Sequence, residues 1–243
     1  MRAEDRPAFY ALPSGGWRDY VTLLHLPYTG WHLSYVVMGA AVARRFDGGR
    51  LGASVLAFFF AVGVAAHALD ELSGRPLGTR IPDRALRGLA AFGLVAAVGI
   101  GVVGSVAVSW WLLVFVAFGA FAVLAYNLEL FGGRFHTDLW FALSWGAFPA
   151  LTGHFAQDGA LRWEAGPIAM ACLLLSSAQR SLSTPVRHLR RHVRSVEGRM
   201  LLDDGSELEI TPLTLRAAPE AALRAMAFAV MALAAGLTAA RLA

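Results

Sequence analysis

Lysine is absent, cysteine occurs once and charge of either sign is scarce: all 21 basic residues are arginine, and charged side chains make up 16% of the 243 residues. A lone Cys172, set in an apolar run, excludes a disulfide framework and a cysteine metal site. The scarcity of charge excludes an ordinary soluble domain. At 57% hydrophobic residues and a mean hydropathy of +0.54, the chain carries more apolar surface than a water-soluble core can hide. No apolar core or small-residue cleavage site stands near Met1, so no cleaved signal peptide is expected. A pI of ≈ 9.8 does not imply nucleic acid as a partner, because the arginines crowd into a few short segments and no nucleic-acid-binding motif accompanies them.

What the chain does have is long apolar runs. A membrane span takes about 20 mostly apolar residues, and helices of that kind are expected near 21–43, 51–71, 85–105, 108–130, 137–157, 164–183 and 218–240. The expected fold is therefore all-α: a multi-pass integral membrane protein whose bundle of about seven transmembrane helices forms one domain over 21–243, after a cytoplasmic N-terminal tail at 1–20. Gly88, Gly93, Gly99, Gly101 and Gly104 read as positions of close helix packing. Arginines on alternate sides set the orientation. Arg2, Arg6, Arg18, Arg75, Arg80, Arg84, Arg134 and the run from Arg187 to Arg216 outnumber Arg44, Arg45, Arg50, Arg162 and Arg241, so the first set is expected in the cytoplasm.

A cytoplasmic basic loop is expected at 187–216, with anionic membrane lipid as the partner of its arginines. Within it, Asp203-Asp204-Gly205-Ser206 between two short apolar-containing stretches reads as the turn of a β-hairpin, not as a metal site.

The residues with most chemistry are His67, Asp70 and Glu71, at the cytoplasmic end of the second span. At 100° per residue they share roughly a 100° arc of one helix face and can converge on one ligand. The alternative is a helix that ends in interfacial water, with its acids neutralised by Arg75 or Arg80. Carboxylates suit Mg²⁺, which shares its coordination with substrate phosphates, and arginine presents a fork that matches phosphate oxygens. His25 and His32 share a face of the first span, and His136 and His154 bracket the fifth; hydrogen bonding between helices is the simpler role for each. Tyr126, Asn127 and Glu129 end the fourth span and can help to line a pocket. His188 and His192 have a metal-ligand spacing, but the surrounding arginines would repel a cation.

Ala66-His-Ala-Leu-Asp-Glu71, continued by Gly74-Arg-Pro-Leu-Gly-Thr-Arg-Ile-Pro82, resembles the first aspartate-rich motif of the UbiA superfamily of intramembrane prenyltransferases. Leu26-Pro-Tyr-Thr-Gly30, Ala125-Tyr-Asn-Leu-Glu-Leu-Phe131 and Leu143-Ser-Trp-Gly-Ala-Phe-Pro-Ala-Leu-Thr-Gly153 are similar to parts of its first, fourth and fifth helices, so the resemblance covers about 20–190. It implies a UbiA-like bundle that binds an isoprenoid diphosphate or related lipid and transfers or ionises the prenyl group. Asp70 and Glu71 would hold Mg²⁺ and act in catalysis, while His67, Arg75, Arg80, Tyr126, Asn127, Gln179, Arg180 and Arg187 would contact substrate. Two departures stand out: His67 and Ala68 replace the motif's usual Asn-Asp, and the second acidic region reads Ser176-Ser-Ala-Gln-Arg-Ser-Leu-Ser-Thr-Pro-Val-Arg187, without a carboxylate. The alternatives are a non-catalytic lipid-binding or assembly protein of the same fold, and a metal-dependent membrane enzyme built on His67, Asp70 and Glu71.

Overall fold

The computed structural model describes residues 6–243; residues 1–5 of the expected tail, with Arg2, lie outside them. The chain is mostly helical (71%). Among the described residues there are eight helices: α1 (Trp17–Leu23), α2 (Leu26–Ala41), α3 (Gly48–Leu72), α4 (Asp83–Ala107), α5 (Leu112–Asn127), α6 (138–158), α7 (Ala165–Arg191) and α8 (Pro212–Leu242). A hairpin of β1 (Arg199–Leu201) and β2 (Glu207–Glu209) precedes α8.

Three of the helices, α3, α4 and α8, are long and apolar enough to cross a membrane. Helix α5 is apolar but has only 16 residues. Helices α6 and α7 are long enough, yet α6 carries His154, Gln157 and Asp158, and α7 carries Gln179, Arg180 and Arg187. Along α4 the large apolar side chains point outward: Val95 and Val103 are each 71% exposed, the reverse of a water-soluble helix.

Hydrogen bonds tie together two ends of the bundle. At one, the Arg44 and Arg45 amides donate to the Asp158 carboxylate, and Arg241 donates to the Arg44 carbonyl. At the other, the Arg80 amide donates to Asp19 and the Arg190 guanidinium pairs with Glu220. Between them, Trp31, Tyr35, Met38, Ala150, Cys172, Ala227 and Val230 form a core shared by α2, α6, α7 and α8. The closest crossing is α2 on α6, where Gly39 lies against Ala150 and Gly153 against Val36 with backbone touching backbone. Of the α4 glycines expected to pack, Gly93 meets Phe60 and Gly101 meets Val116, whereas Gly88 and Gly99 face open space.

Two expected boundaries are corrected. Helix α7 does not stop at 183 but runs through Pro185 to Arg191, so Arg187 is helical and the basic loop begins at 192. Proline removes one helical N–H, the one that would reach the Ser181 carbonyl, and His188, Arg190 and Arg191 in the last turn complement the helix dipole. Helix α8 begins at Pro212, well before 218, because Thr211 and Thr214 form a reciprocal cap and proline suits the first turn. The described part of the N-terminal segment is likewise no free tail. Arg190 donates to the Arg6 carbonyl, the Leu12 amide donates to Thr22, and Phe9 packs edge-on to Tyr10 and Tyr28.

Candidate functional site

Two interruptions of regular α-geometry build the site. Helix α3 is π-helical over Phe59–Ala66, immediately before His67, and α6 is π-helical over Leu143–Ala147. Such segments leave backbone carbonyls available to side chains. In α6 the reason is legible: Pro149 has no N–H to give the carbonyl four residues back, that of Trp145. His32 Nδ1 donates to this carbonyl at 2.8 Å. His67 Nδ1 likewise donates to the Gly63 carbonyl at 3.3 Å, and His136 Nδ1 to the Tyr126 carbonyl at 3.0 Å. A carbonyl only accepts, so each Nδ1 carries hydrogen, and in the neutral ring Nε2 is left as an acceptor.

These histidines line a cavity of ≈ 160 Å³ between α2, α3, α5, α6 and α7, covered by Pro7 to Tyr10. His25, held at a positive φ of 46° where α1 gives way to α2, stacks on His67 with ring centroids 4.0 Å apart. Its Nδ1 lies 2.9 Å from the Tyr10 hydroxyl. Burial holds the Tyr10 phenol well above its usual range, so it is a neutral hydroxyl. Three buried polar atoms at this cavity have no hydrogen-bond partner among the described residues: His25 Nε2, the Tyr126 hydroxyl and Gln179 Oε1. Buried polar atoms are seldom left unpaired, and these three belong to residues that line the same cavity.

Of the residues proposed from sequence, His67, Asp70, Tyr126, Asn127, Gln179, Arg180 and Arg187 are brought together at this cavity. Glu71, Arg75 and Arg80 are not among its lining residues. Glu71, 0% exposed, faces the other way: its carboxylate accepts from the Leu77 amide (2.9 Å), the Thr79 amide (2.8 Å) and the Thr79 hydroxyl (2.8 Å). The Gly74–Pro82 stretch is thus a loop folded round a carboxylate, with Gly74, Arg75 and Gly78 at positive φ. Arg75 is spent within that loop on the Ile81 carbonyl and on Asp83. Arg80 enters only through its backbone, on Asp19, and its side chain is exposed.

The cavity's charge is therefore one carboxylate against several guanidiniums. The Asp70 carboxylate has no hydrogen bond or ion pair among the described residues, while its backbone carbonyl accepts from the Ser73 amide. Across from it, α7 contributes Arg180, Arg187, Arg190 and Arg191. Arg190 is engaged by Glu220, Arg180 donates to the exposed Asp138 at 2.8 Å, and Arg191 reaches the Pro7 carbonyl at 3.5 Å. Arg187 makes one long bond, 3.3 Å, to Thr184. A Mg²⁺ ion on the Asp70 and Glu71 side chains does not fit this arrangement, since both Glu71 oxygens are bonded on the far side. No group of three or more His, Cys, Asp or Glu placed to hold a metal occurs among the described residues.

A second, larger cavity of ≈ 580 Å³ adjoins the first. Val62 and Trp145 belong to the walls of both, and from there it extends past Ala61, Ala97, Phe115, Val116 and Phe148 toward Gly49. Its lining is almost wholly apolar. Sequence reasoning did not anticipate it, because small and apolar residues look alike whether they pack or recede. The cover formed by Phe9 and Tyr10 was missed too, for it lies in a segment with no helical period. No family model, curated protein or solved structure matches the chain.

Proposed function

We propose that this chain is a UbiA-like integral membrane protein of about seven spans that binds an isoprenoid diphosphate or a related anionic lipid. The head lies in the polar cavity and the chain in the apolar one. The observation that carries this proposal is a polar and an apolar cavity side by side, with Val62 and Trp145 as the wall they share. An amphiphile with a compact charged head and one long hydrocarbon chain is complementary to that pair. From Val62 back to Gly49 along α3 is roughly 20 Å at the helical rise, room for an extended chain. Outward apolar residues on α4 and the exposed tryptophans Trp17, Trp110, Trp111 and Trp163 near helix ends support a bilayer setting. The arginine distribution supports a cytoplasmic side for the polar cavity and the N-terminus.

Transfer or ionisation of the prenyl group is the reaction that the family resemblance implies. A second reading, lipid binding without transfer, is favoured by the Glu71 carboxylate being committed to its own loop. Both require the same ligand, which a chain-filling substitution tests. Ala97→Phe places a ring in the apolar cavity and leaves the polar one untouched. It is expected to weaken farnesyl diphosphate binding by more than about tenfold, since each displaced methylene forfeits about 0.8 kcal/mol, and to leave inorganic pyrophosphate binding unchanged. Equal affinity for farnesyl diphosphate in wild type and variant, measured by titration in detergent, would remove the apolar cavity from the account.

A further inference from the structure

Resting on the lipid-binding proposal above, we infer that the anionic head is held directly by arginines of α7, with Arg187 as its principal contact, and that no divalent cation is required. Arg180, Arg187 and Arg191 are spaced by seven and four residues, which at 100° per residue puts them within about 40° of one another on the face of α7 that lines the polar cavity. Guanidinium groups so aligned present several N–H donors to phosphate oxygens. Arg187 and Arg191 are the two whose donors are least used, each making a single long bond; that of Arg187 is the 3.3 Å contact to Thr184. Arg191 is held at 3.5 Å by the Pro7 carbonyl, a neutral acceptor that a charged phosphate oxygen can replace.

The opposite wall is the wrong one for a cation bridge. A carboxylate-held Mg²⁺ bound for diphosphate is usually shared with substrate phosphates and one or two carboxylates. Here Glu71 is turned into the loop above, the α7 wall contributes no carboxylate, and Asp70 stands alone opposite the arginines. With no cation between them, Asp70 and the phosphate repel. This reverses the sign of a familiar mutation: removing the Asp70 charge strengthens head-group binding instead of abolishing it.

The test is a titration of farnesyl diphosphate into detergent-solubilised wild type, Asp70→Asn and Arg187→Ala, each in chelator and in excess Mg²⁺, with thermal unfolding of every variant as a control on folding. Wild type is expected to bind in chelator with an affinity within about threefold of that in Mg²⁺. Asp70→Asn, nearly isosteric, should bind about threefold tighter or more, and Arg187→Ala about 10- to 100-fold more weakly. Arg187→Lys should recover part of the loss if charge matters and the variant is folded. Binding to wild type that vanishes in chelator, together with loss of binding in Asp70→Asn, would overturn the arginine assignment and leave the lipid proposal standing. Absence of binding in every condition would overturn both.

Discussion

Gly153→Ala is expected to cost at least about 3 kcal/mol of stability, the upper end of overpacking costs, and Gly39→Ala as much. A Cβ at 153 would sit 2.1 Å from the Val36 carbonyl oxygen, and one at 39 would sit 1.9 Å from that of Ala150. Neither obstacle is a flexible side-chain end, so α2 and α6 must move apart. That separation breaks the core around Trp31 and Tyr35, and with it the His32 bond to the Trp145 carbonyl. In a bilayer, helix association depends on such close packing, because lipid offers apolar surface as readily as another helix does. Gly99→Ala is the control: a Cβ there meets nothing within 4 Å, and with alanine the better helix former the variant should be at least as stable as wild type. Thermal unfolding in detergent reads all three. Wild-type stability in Gly153→Ala would mean that α2 and α6 do not cross as described.

Glu71→Ala is expected to lose roughly 3 kcal/mol, and Glu71→Gln somewhat less, because each buried donor left without an acceptor costs about 1–3 kcal/mol. Glutamine keeps one oxygen for Thr79 but presents an NH₂ group to the Leu77 amide, two donors face to face. The informative quantity is the affinity of the folded fraction. Glu71 acts on its own loop, so farnesyl diphosphate affinity should stay within a few-fold of wild type while stability falls. A ligand-holding carboxylate would give the opposite pattern, full stability with lost binding, and that result would return Glu71 to the site.

The sequence located the polar cavity better than it explained it. His67, Asp70, Tyr126, Asn127, Gln179, Arg180 and Arg187 lie on three helices, and each was visible as a polar residue in or at the end of an apolar run, where a charge or amide is costly without a purpose. Which way each side chain points was not visible. Asp70 and Glu71 are neighbours, and 100° of helical rotation between adjacent residues separates one that faces a cavity from one that organises a loop. A loop rich in Gly and Pro after an acidic pair suits either phosphate binding or self-capping, and only the Leu77 and Thr79 amides on Glu71 distinguish them. The hairpin is simpler, as Asp204 and Gly205 sit in the turn that their backbone preferences favour, Gly205 at φ 82°. The run of α7 through Pro185 was hidden, because proline in sequence signals a stop, whereas here its ring removes only the one N–H that would reach the Ser181 carbonyl. His25 and His32 were given the modest role of bonding between helices. His32 has that role, while His25, stacked on His67 with Nε2 unpaired, belongs to the cavity.

The central claim is that one anionic lipid spans the two adjoining cavities, and the most direct measurement is the mass spectrometry of lipid released from the protein after purification from its own membranes. Wild type should carry a near-stoichiometric lipid with a phosphate or diphosphate head on a single long apolar chain, enriched over the surrounding membrane, and Arg187→Ala should have lost it. Bulk bilayer phospholipids alone, in the same proportions in wild type and Arg187→Ala, would contradict the claim.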